Sequence, residues 1–342
     1  MFSHKFFSKG VGNSLKVLLS GYYGYGNFGD ELMRLSMEDF LKKYRIDYII
    51  ALPKRVNKDS ISRFNLLELI GATFDTDVLI YGGGGLLQDI TSSKSFLYYI
   101  SSIQISFLLN KPVILFGNSF GPIKKSLDRC LLNKTLKNEK IYIFARDLVS
   151  YRFAKRINKN TVLSCDPAVR FLSTIDTLPE KKYDLILVPR NIQNVDKYDI
   201  LLKYFSNIIV CPAQNTDINI AKIVSKRLNA DYFDNPDDVN SVLSYLLSSK
   251  FIISERFHPT VVGAYFGIPF ISLENSKAER FFRKYTSRKE FFAKDMIDIY
   301  QKLKSVSENP LYLKAEMDKE CDESFKKLYK VLIKIKSFGS LI

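Results

Sequence analysis

Short apolar runs recur along this chain, each followed by an amphipathic stretch of helical length, and this alternation constrains the fold more than any other feature. Residues 15–20, 47–52, 77–81, 112–116 and 141–145 read as strands, with helices at 30–44, 60–69, 94–109, 126–136 and 148–157. Apolar strands alternating with helices predict a parallel sheet covered on both faces. Residues 174–182 are polar and contain a proline, as a linker would. The pattern then restarts, with strands at 184–188, 208–211, 251–254 and 269–273 and helices at 239–247 and 259–266. A long Lys/Glu-rich amphipathic helix, 311–336, follows. The 342 residues also exceed the size at which one core stops growing, about 250–300. The expected architecture is α/β, with two Rossmann-like domains facing a cleft. Residues 1–173 form the first and 183–310 the second, joined by 174–182 and followed by a C-terminal helix, 311–342.

Composition excludes several classes. With 46% hydrophobic and 25% charged residues the chain is a folding one, not a disordered one. Cys130, Cys165, Cys211 and Cys321 are widely spaced, with no CxxC pair, which excludes a disulfide scaffold and a zinc cluster and suits a reducing compartment. His4 and His258 are the only histidines, so sites needing several imidazoles are excluded. The apolar stretch 96–109 carries serines and a glutamine and is too short to span a bilayer. Residues 1–10 hold two lysines without a continuous apolar region, unlike a signal peptide. The expectation is a cytoplasmic protein with access to the inner face of the membrane. Its net charge of +15 favours anionic partners, either phosphorylated substrates or an acidic membrane surface met peripherally. The lysines are spread and no RNP, RGG or zinc-finger signature occurs, so nucleic acid is not expected; a generally solvated basic surface is the simpler reading.

Three loops follow expected strand ends, where open α/β sheets bind ligands. The first contains Gly24-x-Gly26-x-x-Gly29, a literal dinucleotide fingerprint. Asp30 and Glu31 stand where a pyrophosphate would need bare amides, and the next strand end, Ala51-Leu52-Pro53, lacks the ribose-binding acid. Two readings remain: a structural turn with a carboxylate capping the helix, or a ligand loop in which Asn27 and Asp30 reach polar substrate groups. The second loop, Gly82–Gly85 with Gln88 and Asp89, predicts close backbone approach to a ligand at Gly83 and Gly84. It lacks the Gly-Lys-Ser/Thr of a Walker loop, so ATP hydrolysis is not expected. The third, Ser254-Glu255-Arg256-Phe257-His258-Pro259, pairs an anion-binding candidate with a group able to donate a proton near neutral pH. A satisfied core histidine beside a structural arginine is the alternative there.

Together the segments GYYGYGNFGDE (21–31), YGGGGLLQDITSSKSFLYY (81–99), PVILFGNSFGPI (112–123), ARDLVSYRF (145–153), CDPAVRF (165–171) and SERFHPTVVGAYFGIPFISLENSKAERF (254–281) resemble the polysaccharide pyruvyltransferase family, particularly its cell-wall members. PRN (189–191) and CPAQNTD (211–217) are weaker matches, and Arg190 and Gln214 join the substrate-binding candidates through them. The resemblance implies a GT-B-like fold and transfer of a pyruvyl group from phosphoenolpyruvate to a sugar acceptor, lipid-linked or free. The product is a cyclic ketal, and phosphate is released. It also implies donor binding and acid catalysis by Arg146, Arg256 and His258, with Lys277 assisting from Glu274-Asn275-Ser276-Lys277. No step of that chemistry requires a metal or a cofactor. Two other classes fit the same sequence: a nucleotide-sugar glycosyltransferase, and a non-catalytic basic binding protein. The discriminator is whether Arg146, Arg256 and His258 meet in one cleft.

Overall fold

The chain builds two parallel sheets whose carboxyl edges face each other across the molecule. We describe it from a computed structural model covering residues 15–339 except Thr91. His4 and the N-terminal stretch discussed above lie outside the described residues. The first sheet comprises β1 (Lys16–Ser20), β2 (Asp47–Leu52), β3 (Ser60–Ser62), β4 (Val78–Leu87), β5 (Val113–Phe120), β6 (Ile141–Ala145) and β7 (Thr161–Leu163), in the order β3-β2-β1-β4-β5-β6-β7. Its crossovers are α1 (Phe28–Lys43), α2 (Leu66–Phe74), α3 (Ser93–Leu108), α4 (Ser126–Leu136) and α5 (Leu148–Lys155), and α6 (Ala168–Leu172) closes this half. The middle of β1, Val17–Leu19, is apolar and fully buried, as a central strand requires. It pairs in parallel with β2 on one side and β4 on the other, and both faces are covered.

The second sheet has the order β10-β9-β8-β11-β12-β13, from β8 (Tyr183–Val188), β9 (Ile208–Val210), β10 (Asp231–Tyr232), β11 (Ser249–Ser254), β12 (Phe270–Leu273) and β13 (Phe292–Ala293). A 3₁₀ segment (Ile192–Lys203) and α7 (Ile218–Leu228), α8 (Val239–Leu247), α9 (Phe257–Phe266), α10 (Ser276–Phe282) and α11 (Met296–Glu308) surround it. The final helix, α12 (Lys314–Gly339), returns to the first half. There Phe325 packs on Phe40 and Phe116 at 5.0 and 4.7 Å between ring centroids.

Three local expectations are corrected. Residues 60–69 do not form one helix. Ser60, Ile61 and Ser62 pair with Ile50, Ala51 and Leu52, and helix α2 starts only after Asn65, whose side chain accepts from the Leu67 and Glu68 amides. Ladder hydrogen bonds there outweigh the local helical pattern. The four glycines are not a loop before a helix, because β4 runs through them to Leu87 and α3 begins at Ser93. The Asn118 side chain donates to the Gly83 and Gly84 carbonyls at 2.9 and 3.2 Å, holding β4 and β5 together beyond the expected strand ends. Finally, α1 is capped not by a carboxylate but by Asn27, whose Oδ1 accepts from the Gly29 and Asp30 amides.

Candidate active site

The turn after β1 crosses to the second half and joins it by backbone. The Phe28 amide donates to the Ala213 carbonyl and the Asn215 amide to the Gly26 carbonyl, both at 2.9 Å. Two glycines of the fingerprint are explained by this approach. A Cβ on Gly26 would stand 2.0 Å from Asn215 Nδ2, and one on Gly29 would stand 1.6 Å from His258 Nδ1. The motif therefore admits the opposite half of the protein rather than a pyrophosphate.

Around this bridge lies a cavity of about 510 Å³. It is lined by Asn27, Asp30, Gly84, Gln88, Arg146, Arg190, Gln214, Arg256, His258 and Lys277, ten of the residues expected from the sequence. Two others stand outside the lining. Gly83 packs under α1, where a Cβ would meet Met33 Sδ at 2.3 Å. The Asp89 carboxylate accepts from the Lys124 and Lys125 amides at 2.8–3.0 Å, which orders the loop after β5. Sequence reasoning missed Tyr22, Gly29, Gly85, Tyr99, Thr216, Asp217, Glu255 and Asn275, which also line the cavity, and Asp166 just behind it. No local signal marks the two aspartates, because each is paired with its arginine only by the fold.

Arg146 leaves β6 into the cavity wall and is 3% exposed. Its Nη1 donates to Asp166 Oδ2 at 2.6 Å and its Nε to Ser119 Oγ at 2.9 Å, while the guanidinium lies 4.9 Å from the Phe257 ring centroid. Burial would raise the Asp166 pKa, but the charge of Arg146, helped by His258, holds it well below the usual carboxylate range. Arg256, just before α9, forks onto Asp217: Nε donates to Oδ2 at 2.8 Å and Nη2 to Oδ1. Each arginine is thus fixed by an acid, with one terminal nitrogen outside the pair.

His258 occupies the first turn of α9, pressed against Gly29. Its Nε2 is buried and 3.6 Å from Asp166 Oδ2, too long for a hydrogen bond, and has no hydrogen-bond partner among the described residues. Arg190 and Lys277 have no ion-pair partner among the described residues. Lys277 reaches across the cavity, its Nζ 3.7 Å from where a Gly85 Cβ would be. Desolvation, then Arg146, lowers its pKa to about 8 against the opposing pull of Asp30, with Arg190 and Arg256 adding to the fall. Burial raises the Asp30 pKa to about 6, opposed by His258, Arg146 and Lys277. The cavity therefore offers fixed guanidinium groups, an ammonium, an imidazole and a carboxylate more basic than usual, all in one place. Among the described residues no group of three or more His, Cys, Asp or Glu could hold a metal, and no helix is long and apolar enough to cross a membrane.

Two facing Rossmann-like halves with a polar cleft between their carboxyl edges define a GT-B-like protein, and solved structures of that fold resemble it. S. aureus MnaA, in a co-structure with UDP, matches with a TM-score of 0.61 at 12% identity, covering 96% of this chain and 98% of that one. The UDP-GlcNAc 2-epimerase of Neisseria meningitidis gives 0.60 at 12% identity over 94% and 100%. A glycosyltransferase from Rickettsia africae gives 0.54 at 13% over 94% and 99%. The sequence is more specific than the fold: residues 27–277 match the polysaccharide pyruvyl transferase family, and the chain belongs to it. No curated protein sequence matches the chain.

Proposed function

We propose that this protein transfers the pyruvyl group of phosphoenolpyruvate onto two hydroxyls of a sugar in a polysaccharide precursor, forming a cyclic ketal and releasing phosphate. The observation that carries the reading is the convergence of Arg146, Arg190, Arg256, Lys277 and His258 on one cavity in a chain of this family. The donor's carboxylate and phosphate suit the unpaired Arg190 and Lys277 and the outward nitrogens of Arg146 and Arg256, since guanidinium forks read both groups. Protonation of the donor's methylene carbon by His258 leaves an electron-poor centre that the first hydroxyl attacks. Departure of phosphate opens the same carbon to the second hydroxyl. Of the two protons the hydroxyls lose, one replaces that given by His258 and the other leaves with phosphate. Asp30, with its pKa pushed up to about 6, is basic enough to accept a hydroxyl proton yet largely ionised at neutral pH. Asn27 and Gln214 are joined by a 3.4 Å side-chain hydrogen bond and line the acceptor side with Gln88.

The acceptor expected from the family is a lipid-linked or free sugar met in the cytoplasm. The test is phosphate release from phosphoenolpyruvate with a panel of lipid-linked and synthetic sugars, beside calorimetry of donor binding. Acceptor-dependent phosphate release is expected, and His258→Ala should lower turnover about 10²–10⁴-fold while keeping donor affinity. Binding of a nucleotide sugar in place of phosphoenolpyruvate would overturn the reading in favour of glycosyl transfer. Binding of neither would leave a non-catalytic protein.

A further inference from the structure

Helix α2 is apolar toward solvent as well as toward the core. Leu69, Ala72 and Thr73 face the core, while Leu66, Leu67, Ile70 and Phe74 form an outward stripe without a charged residue. Leu67 is 81% exposed. Two more exposed apolar side chains lie on the segments that leave the carboxyl ends of β2 and β3. Phe64, after β3, is 68% exposed, and Val56, after β2, is 74% exposed. An apolar surface of this kind marks an interaction site.

Cations surround it. Lys54, Arg55 and Lys58 are exposed on the loop that carries Val56, and Lys94, Lys124 and Lys125 are exposed at the starts of α3 and α4. The segments are neighbours. The Arg63 amide donates to the Leu52 carbonyl at 2.8 Å, the Phe64 and Tyr98 rings lie 6.4 Å apart, and Lys125 Nζ donates to Ser93 Oγ at 2.8 Å. The exposed acids alongside are Asp59 and Asp75, whereas Glu68 and Asp89 are engaged by backbone amides. The same rim leads into the cavity. Arg63, 4% exposed, lies beneath Tyr25 at 5.6 Å, and Tyr25 stacks at 4.4 Å on Tyr22, which lines the cavity.

We infer that this rim is a docking surface for an anionic lipid bilayer, with Val56, Phe64 and Leu67 entering the interface and Lys54, Arg55 and Lys58 meeting the headgroups. Apolar side chains ringed by cations match the two layers of such an interface, and each cation near the surface strengthens partition about fivefold. Docking sets the tyrosine-lined mouth of the cavity at the membrane, where a lipid-linked sugar lies. Only this last step rests on the pyruvyltransferase reading.

The full chain should be sedimented with vesicles of phosphatidylcholine alone and with about 30% phosphatidylglycerol, at about 0.1 and 1 M salt. The expected result is partition onto the anionic vesicles at least tenfold above the neutral ones and weaker in high salt. Val56→Ser/Phe64→Ser/Leu67→Ser should lower it at least tenfold, and Lys54→Glu/Arg55→Glu/Lys58→Glu should remove the anionic preference. Lys203→Glu/Lys222→Glu/Lys226→Glu, an equal charge change on the second half, should stay within about twofold of the unaltered chain. Absence of binding to anionic vesicles, or equal losses in the rim and control variants, overturns the inference. So does a dimer that Leu67→Ser dissociates, which assigns the rim to a second copy. Calorimetry with phosphoenolpyruvate on the same unaltered chain separates the two readings. Donor binding without vesicle binding refutes docking alone, and vesicle binding without donor binding refutes the pyruvyltransferase reading alone.

Discussion

Gly29→Ala should disable the protein through His258 although the backbone at position 29 is helical and would favour alanine. Glycine in a helix costs about 0.5–1 kcal/mol relative to alanine, so local preference alone predicts a more stable variant. Position 29 lies in the first turn of α1, and a Cβ there would stand 1.6 Å from His258 Nδ1, 2.2 Å from Cγ and 2.3 Å from Cε1. Ordinary van der Waals separation begins near 3.4 Å, so the ring must move by roughly 2 Å. Misplacing a reacting group by even 1 Å costs about a hundredfold in rate. The expected outcome is a turnover loss of at least about a hundredfold in phosphate release, with phosphoenolpyruvate affinity changed only a few-fold. Stability supplies the decisive control through a double-mutant cycle. In the unaltered chain, Gly29→Ala should lower the unfolding free energy by about 1–3 kcal/mol, as overpacking does. In the His258→Ala background the obstacle is gone, and the same substitution should raise it by about 0.5–1 kcal/mol. A Gly29→Ala enzyme within a few-fold of normal turnover, or a stability effect of the same sign in both backgrounds, would refute the reasoning.

With Asp30 as the base, turnover of the unaltered protein should rise through about pH 6, and Asp30→Asn should abolish that rise. Because the folded pKa is raised, the ionised form costs stability that grows as pH climbs from the unfolded value to about 6, so the same variant should unfold later at pH 8, by up to about 3 kcal/mol, and not at pH 4. Lys277→Met should weaken donor binding below pH 8 and remove the loss of affinity expected as the ammonium deprotonates above about 8. Asp166→Asn should cost about 3–5 kcal/mol in chemical denaturation at neutral pH, because Arg146 is left buried without its acid. Since the Asp166 pKa is depressed, that difference should shrink as pH falls below the ordinary carboxylate range. If residues 174–182 act as a hinge, small-angle scattering should report a more extended protein without substrates than with both, as the Asn27–Gln214 bridge opens.

The fold was legible where apolar strand runs and amphipathic helical periods are long enough to show themselves. Strands 47–52 and 141–145 and helices 126–136 and 239–247 coincide with the observed elements. The two-residue strands β10 and β13 were not legible, because a period of two cannot show itself in two residues. In the site, Arg256 and His258 were legible because they follow a strand end, and Arg146, Arg190 and Lys277 through the family resemblance. Their acid partners were not: Asp217 lies 39 positions from Arg256 and Asp166 lies 20 from Arg146, so only the folded chain pairs them. Asp89 shows the converse, a polar residue at a strand end whose carboxylate serves the loop after β5.

The glycines are where sequence and structure differ most usefully. Gly24-x-Gly26-x-x-Gly29 has the spacing of a nucleotide loop, but what stands against Gly26 and Gly29 is protein, namely Asn215 and His258. A glycine motif reports that something must come close to the backbone and says nothing of what that is. Here the visitor is the loop and helix start of the other half, and its approach delivers the imidazole to the cavity that Arg146 and Asp30 line from the first half. Neither half alone brings His258 together with both Arg146 and Arg256. Under the proposed function, closure of the two halves is a condition of the chemistry, and the narrow fit at Gly29 ties the place of the His258 ring to that closure.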